Sequence, residues 1–211
     1  MDVACSTPLA DFPGVGEARA GKLEKLGLCT AGDLLSWYPR DYEDRRNLYE
    51  IASAPLEGRV CVSAMAAEHP RLSRIRKGLD LVQVKVVDHT GALHLTFFNQ
   101  SYIERAIRAG EEYIFYGAVE GQGRRRTMVN PISERAGERS FTGRIMPVYR
   151  LTAGISNHMM ASLVRRALPC AGKLPETLPR HIRQEHRLAA AEFAVKIIHF
   201  PEDGESLDLA R

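Results

Sequence analysis

The sequence predicts an α+β fold, a five-stranded β-barrel with helical segments on either side of it. Three observations carry this reading. Between residues 58 and 131 apolar residues recur at every second position, the period of a half-buried strand. Within that region one stretch, 100–108, changes to helical spacing. Before residue 40 and after residue 156 the apolar spacing is helical as well.

The chain has 211 residues, 45% hydrophobic and 26% charged, an ordinary globular composition that can bury a core. Three segments are expected: a helical lead at 1–50, the barrel at 51–150 and a helical connector at 151–211. A net charge of +3 permits a nucleic-acid partner without arguing for one, so the distribution of charge has to decide. Cys5, Cys29, Cys61 and Cys170 are scattered with no CxxC pair, and the seven histidines supply no HExxH. Neither a metal site nor a catalytic constellation is expected, and the thiols read as reduced. No leader pattern opens the chain, and no run approaches the roughly 20 apolar residues of a membrane span. A cytoplasmic protein without a membrane partner is the expectation.

In chain order, Phe12-Pro13-Gly14-Val15-Gly16 is a turn signal. Val15, Ala18, Leu23 and Leu26 follow at helical spacing, and Gly27 closes the helix. Thr30 caps a second helix over 31–38 that Pro39 ends. This arrangement is similar to a helix-hairpin-helix module, in which glycines such as Gly14 and Gly16 let backbone N–H groups approach a DNA phosphate. A plain helical hairpin whose glycines only make a tight turn fits equally well. Gly16-x4-Gly21-Lys22 stops short of a phosphate loop, because Leu23 stands where Ser or Thr would hold magnesium and no apolar strand precedes it. Residues 39–46 read as a charged linker.

The first barrel strand alternates Val60, Val62, Ala64 and Ala66 with Arg59, Cys61, Ser63 and Met65. Val82, Val84 and Val86 mark the second, and Asp88-His89-Thr90-Gly91 turns it into the third, 92–98. Asn99 is positioned to cap the helix 100–108, with Ile103, Ala106 and Ile107 inward and Gly110 at its end. Residues 112–119 and 126–132 supply the last two strands. In the third strand Leu93, Leu95 and Phe97 face the core, which leaves Phe98 with His94 and Thr96 on the wet face. Tyr102 follows at the start of the helix. Two rings at this junction form either a satellite core or a platform on which bases stack.

Three strands, a helix and two strands is the order of an OB-fold, whose nucleic-acid face is flanked by the loops after its first and fourth strands. Here the first such segment, 69–77, carries Arg71, Arg74, Arg76 and Lys77 and no acid. The second, 121–126, carries Arg124, Arg125 and Arg126. Cations at both positions, combined with exposed rings, fit phosphate neutralisation and base stacking. Beyond a polar connector at 135–144 and an extended piece at 145–150, Ser156 opens a helix that stops before Pro169. A long helix is expected over 183–198 and a loose acidic end at 202–206. The pattern breaks off in mid-element at 207–211, as expected of a piece of a longer chain.

Several local patterns converge on one family. Gly14-Val15-Gly16 with Leu26-Gly27 and Asp33-Leu34-Leu35, the run from Pro39 to Arg45, Asp88-x-Thr90-Gly91 and Phe97-Phe98-Asn99 all match it in order. So do Pro147-Val148-Tyr149-x-Leu151-Thr152-x-Gly154 and Ile198-His199-Phe200-Pro201. The chain resembles the N-terminal region of the RecG family, bacterial ATP-dependent DNA helicases that regress stalled replication forks. The resemblance implies an OB-fold wedge that holds a fork or Holliday junction while a motor pulls the template strands, in repair and recombination. It places the family's two stacking aromatics on Phe98 and Tyr102, although some relatives carry another residue at the tyrosine position. It implies branched DNA as partner, the single-strand DNA-binding protein as a second one, a monomer, and a nucleoid-associated location. The phosphate loop and other motor motifs would lie beyond residue 211, so ATP and magnesium belong to missing domains, and this piece should bind no cofactor and hydrolyse nothing.

Two further functions fit the residues. A free-standing OB-fold single-strand DNA-binding protein would bind plain single strands as well as forks. An adaptor would use Arg71, Arg74 and Arg76 to hold the acidic tail of single-strand binding protein. A hairpin-containing DNA glycosylase is disfavoured, because the barrel after Asp41 and Asp44 does not suit that all-helical class.

Overall fold

The computed structural model describes residues 4–121, 125–138 and 141–210. The chain divides into two compact units, Asp44–Arg144 and a unit formed by Met1–Glu43 together with Ile145–Arg211. The lead and the connector, expected as separate segments, therefore share one unit.

That unit opens with a 3-10 turn at Leu9–Asp11, then α1 (Glu17–Glu24), α2 (Ala31–Ser36) and β1 (Asp41–Asp44). Gly27, at φ +77°, lets the chain leave α1 in the left-handed conformation. A reciprocal cap fixes the start of α2. Thr30 Oγ1 accepts the Asp33 N–H at 3.3 Å, and the Asp33 carboxylate accepts the Cys29 and Thr30 N–H groups at 2.9 and 2.8 Å.

The second unit holds β2 (Leu48–Tyr49), β3 (Val60–Ala66), β4 (Arg71–Arg76), β5 (Leu79–Val87), β6 (Ala92–Phe98), α3 (Ile103–Ala106), β7 (Glu112–Gly117), β8 (Arg126–Val129) and β9 (Ile132–Arg135). The sheet order is β8-β6-β5-β3-β7-β9, with β2 added to β3 and β4 to β5. β3, β5, β6, β7 and β8 are the five expected strands in OB-fold order, with β8 running parallel to β6. Among the described residues the barrel is not closed by a full ladder. At its seam Glu120 meets Thr127 in a bridge of two hydrogen bonds, 2.9 and 2.8 Å. Val62, Ala64, Val82, Val84, Leu93, Leu95, Phe97 and Phe115 form the core, following the period-2 pattern.

Three local expectations in this unit change. Residues 71–76 form strand β4 instead of an open loop, because Arg71 to Arg76 pair with Gln83 to Leu79 across a tight turn at Gly78, φ +82°. The expected fifth strand is split by Asn130, at φ +46°, and Pro131, which cannot donate to a ladder. The expected helix at 100–108 shrinks to four residues. Asn99, at φ +55°, spends its side-chain oxygen on the Asp80 N–H at 3.0 Å and so cannot cap it.

One end of the β5–β6 hairpin is sealed. Asp88 accepts the N–H groups of Ile51 (2.7 Å), Thr90 (2.7 Å) and Gly91 (2.9 Å) and the Thr90 hydroxyl (2.7 Å). The Thr90 oxygen in turn accepts the Ala52 N–H at 3.0 Å. Burial pushes the Asp88 carboxyl up, but these bonds outweigh it and hold its pKa below the ordinary 3.8. The turn they clamp inserts Ile51 into the core.

The chain returns to the helical unit through β10 (Ile145–Val148), which pairs with β1. α4 (Asn157–Ala167) is capped by Ser156, whose oxygen accepts the Met159 N–H at 3.2 Å. It runs on into a 3-10 turn at Leu168–Lys173. The single long helix expected over 183–198 is instead α5 (Arg180–Glu185) and α6 (Ala191–His199), separated by Arg187 at φ +53°. The acidic end is ordered as α7 (Gly204–Ala210). His199 is fully buried: its Nε2 lies 3.0 Å from the Leu35 carbonyl and its Nδ1 3.0 Å from the Tyr149 hydroxyl. A carbonyl only accepts, so Nε2 carries the proton and Nδ1 accepts from Tyr149. Burial holds the His199 pKa below its usual value.

Candidate nucleic-acid interface

The aromatic pair is set by the register of β6. Phe97 pairs with Val82 and is fully buried, whereas Phe98 pairs with Leu81 and is 40% exposed on the outer face of the sheet. After β6 the left-handed Asn99 turns the chain sharply, its N–H donating to the Asp80 carbonyl at 2.8 Å. Buried Ile103 and Ile107 anchor the short α3, so Tyr102, at its N-terminus, projects away from the core at 65% exposure. Both rings are exposed, and neither belongs to the buried core cluster.

The cations of β4 lie at the same end of the hairpin. Ser73, Leu81 and Phe98 form one cross-strand row, and Arg71, Gln83, Thr96 and Val129 the next. Arg74 sits opposite Asp80, the residue that holds Asn99. Strands are spaced by roughly 4.8 Å, so this edge lies about 10 Å from Phe98. Arg71, Arg74, Arg76 and Lys77 are all exposed. Arg71 makes an exposed ion pair with Glu68 at 3.6 Å, which competes little with a phosphate.

Of the second basic segment, Arg126 is not brought to the rings. Arg126 pairs with Leu93, at the start of β6, five residues and roughly 17 Å from Phe98. Its guanidinium is already committed, with Nη1 donating to the Ile51 and Ala54 carbonyls at 2.6 and 2.8 Å. Arg126 therefore clamps the sealed end. Arg125 beside it is exposed, and Arg124 lies outside the described residues. Gly14 and Gly16 belong to the helical unit. Gly14 is at φ +82°, Gly16 is the N-cap of α1, and a Cβ on either would meet no atom within 4 Å. Gly21 and Lys22 lie within α1, where no loop can cradle a phosphate. Among the described residues no group of three His, Cys, Asp or Glu side chains could hold a metal ion. No described helix is long and apolar enough to cross a membrane.

Two residues at this end escaped the sequence reading. Asn130 Oδ1 accepts the Phe98 N–H at 2.7 Å and the Gln100 side-chain amide at 3.2 Å. Gln100 Oε1 accepts the Tyr102 hydroxyl at 2.9 Å. The available signal was Asn130-Pro131, an asparagine before a proline at a strand end.

The model of the RecG wedge domain matches residues 11–171. The ATP-dependent DNA helicase RecG of Thermotoga maritima is 31% identical over the whole of this chain, and that of Synechocystis 30% identical over 97% of it; in each case the chain spans 27% of the relative's length. The helicase RecG of Escherichia coli is 28% identical over 93% of the chain. A solved structure of RecG bound to a three-way DNA junction superposes with a TM-score of 0.81 at 29% identity, covering all of this chain and 29% of that one. The match of the family model over most of the chain, the relatives' identity and the superposition of the whole chain agree: the chain belongs to the RecG wedge domain family.

Proposed function

We propose that this chain binds branched DNA, with Phe98 and Tyr102 stacking on bases at the branch point. Arg71, Arg74 and Arg76 on β4, with Lys77 in the turn after it, neutralise the phosphates beside them. The observation that carries this reading is the pair of rings exposed at one barrel end, next to an edge strand whose cations are also exposed. No bond is made or broken. Each stacked ring contributes roughly 1–3 kcal/mol, and each neutralised phosphate releases counterions, which makes the affinity salt-dependent. The RecG structure bound to a three-way junction makes a junction the first ligand to test.

In a longer protein the same contact would hold a replication fork or Holliday junction while motor domains translocate. ATP and magnesium would be bound by those domains, and the roles would be fork regression, repair and recombination in a bacterial cytoplasm at the nucleoid. The chain alone binds as a monomer without hydrolysing ATP. The exposed arginines of β4 also suit an acidic peptide, which makes the tail of single-strand binding protein a second partner for the same edge.

The test is a titration of a labelled three-way junction with the 211-residue chain over a salt series, with unlabelled single strand as competitor. The junction should be bound more tightly than the single strand, and Phe98→Ala should weaken it by roughly 1–3 kcal/mol at an unchanged melting temperature. Equal competition by single strand would replace this reading with general single-strand binding. A Phe98→Ala variant that melts early yet binds normally would make Phe98 a packing residue.

A further inference from the structure

Both rings of the aromatic pair are exposed. At 40% and 65% exposure, Phe98 and Tyr102 are covered by fewer side chains than a core residue, which packing locks into one rotamer. A binding platform that had to be ordered at the moment of contact would lose affinity. A polar chain that ties the Phe98 backbone to the Tyr102 hydroxyl supplies order at this junction.

The chain begins where β8 ends. The β6–β8 ladder stops at Thr96 and Val129, so the Phe98 N–H lies one step past the last ladder pair. Asn130 takes over there. Its N–H donates to the Thr96 carbonyl at 2.7 Å, and its left-handed backbone swings the side chain back so that Oδ1 accepts the Phe98 N–H at 2.7 Å. The same oxygen accepts the Gln100 Nε2 amide at 3.2 Å, and Gln100 Oε1 accepts the Tyr102 hydroxyl at 2.9 Å. The direction of this chain is fixed by its first link. A backbone N–H only donates, so the Asn130 oxygen faces it, the Gln100 amide must donate to that oxygen, and Gln100 Oε1 is left to accept from Tyr102. Turning either amide over would set two acceptors or two donors against each other.

We propose that Asn130 and Gln100 are positioning residues that pre-set Phe98 and Tyr102 as one platform for the bases at a DNA branch point. The inference rests on the stacking function proposed above. Asparagine suits position 130 because it tolerates the left-handed backbone and also carries a short acceptor. Glycine would keep the first property and lose the second.

The experiment compares Gln100→Ala, Asn130→Gly, Tyr102→Phe and the double variant Gln100→Ala/Tyr102→Phe in the full chain. Two measurements are made: affinity for a three-way junction, and the fluorescence of 2-aminopurine placed at the branch nucleotide, which stacking on a ring alters. Gln100→Ala and Asn130→Gly should each weaken binding about three- to tenfold and move the fluorescence toward that of free junction. Their salt slopes should match the parent, because no phosphate contact is removed. Once Tyr102 lacks its hydroxyl, removing Gln100 should have no further effect on the Tyr102 link. Unchanged affinity and fluorescence in both Gln100→Ala and Asn130→Gly, while Phe98→Ala still weakens binding, would remove the positioning role and leave the platform standing. If Phe98→Ala is also without effect, platform and positioning fall together. Should Asn130→Gly melt early, the surface side chain of Gln100 carries the test.

Discussion

The two ends of the β5–β6 hairpin are held by the same kind of group, a short polar side chain whose oxygens accept backbone N–H groups, with opposite results. At one end Asp88 accepts four bonds and Arg126 donates two, and together they clamp the turn at 51–54 so that Ile51 fills the core. At the other end Asn130 accepts two bonds and the residues it holds lead outward, to Phe98 and Tyr102. Charge and direction make the difference. A carboxylate and a guanidinium facing main-chain groups are satisfied internally and leave nothing for a ligand. A neutral amide ties down the backbone of residues whose rings remain exposed. The first end should therefore answer to measurements of folding, and the second to measurements of binding.

The largest effect is expected at the sealed end. Asp88→Ala leaves the Ile51 N–H without its acceptor beneath the core and should cost about 2–3 kcal/mol of unfolding free energy in denaturant titrations. Junction affinity, measured well below the melting temperature, should be unchanged; a loss of affinity at full folding would erase the distinction between the ends. The same residue sets a pH dependence. Its folded pKa lies below 3.8, so its contribution is complete above that value and is lost as pH falls through the folded pKa. Asp88→Asn should flatten this acid limb, and a limb of unchanged depth would assign it to other carboxylates.

Arg126 and Arg74 give the next comparison. Arg126→Ala should lower stability by about 1–3 kcal/mol, because two backbone carbonyls lose a charged donor, while the salt dependence of junction binding stays as it was. Arg74→Ala should do the reverse, reducing the slope of log affinity against log salt by about 0.9 with no change in melting temperature. A slope that changes in Arg126→Ala and not in Arg74→Ala would move the phosphate contacts to the other end of β6.

The smallest effects concern the hairpin glycines in the helical unit. Gly14→Ala, at φ +82°, should destabilise the fold by about 1 kcal/mol. Gly16→Ala has an ordinary backbone and open space around its Cβ, so it should leave stability unchanged. Weaker junction binding by Gly16→Ala would then identify a close approach of DNA to this turn. Unchanged binding would leave the glycines as turn formers.

The strand pattern, the OB order and the outward placement of Phe98 were legible in the sequence, because alternation along a strand is a local property that survives any packing. So were the Thr30 and Ser156 caps, which depend on residues three positions apart. Four features were not legible. The basic segment at 71–76 has no strand-like alternation, and it becomes a strand through its pairing with β5. Asn99 has the residue type of a helix cap, but its oxygen is taken by Asp80, nineteen residues away in sequence. Arg126 looks like one more cation in a basic run, and only contacts with Ile51 and Ala54 commit it to the fold. Nothing local distinguishes Asn130 as the group that holds the aromatic junction, thirty-two residues from Phe98.

By itself the sequence determined which residues are apolar on which face, where the helices capped by Thr30 and Ser156 begin, and that two rings stand at a strand end beside an excess of cations. The tertiary structure alone decided which cations share that end and which polar groups hold the rings. A charge or an amide acquires its role from its nearest partner in space, and at this barrel end Asn99 and Asn130 reach partners nineteen and thirty-two residues away in sequence.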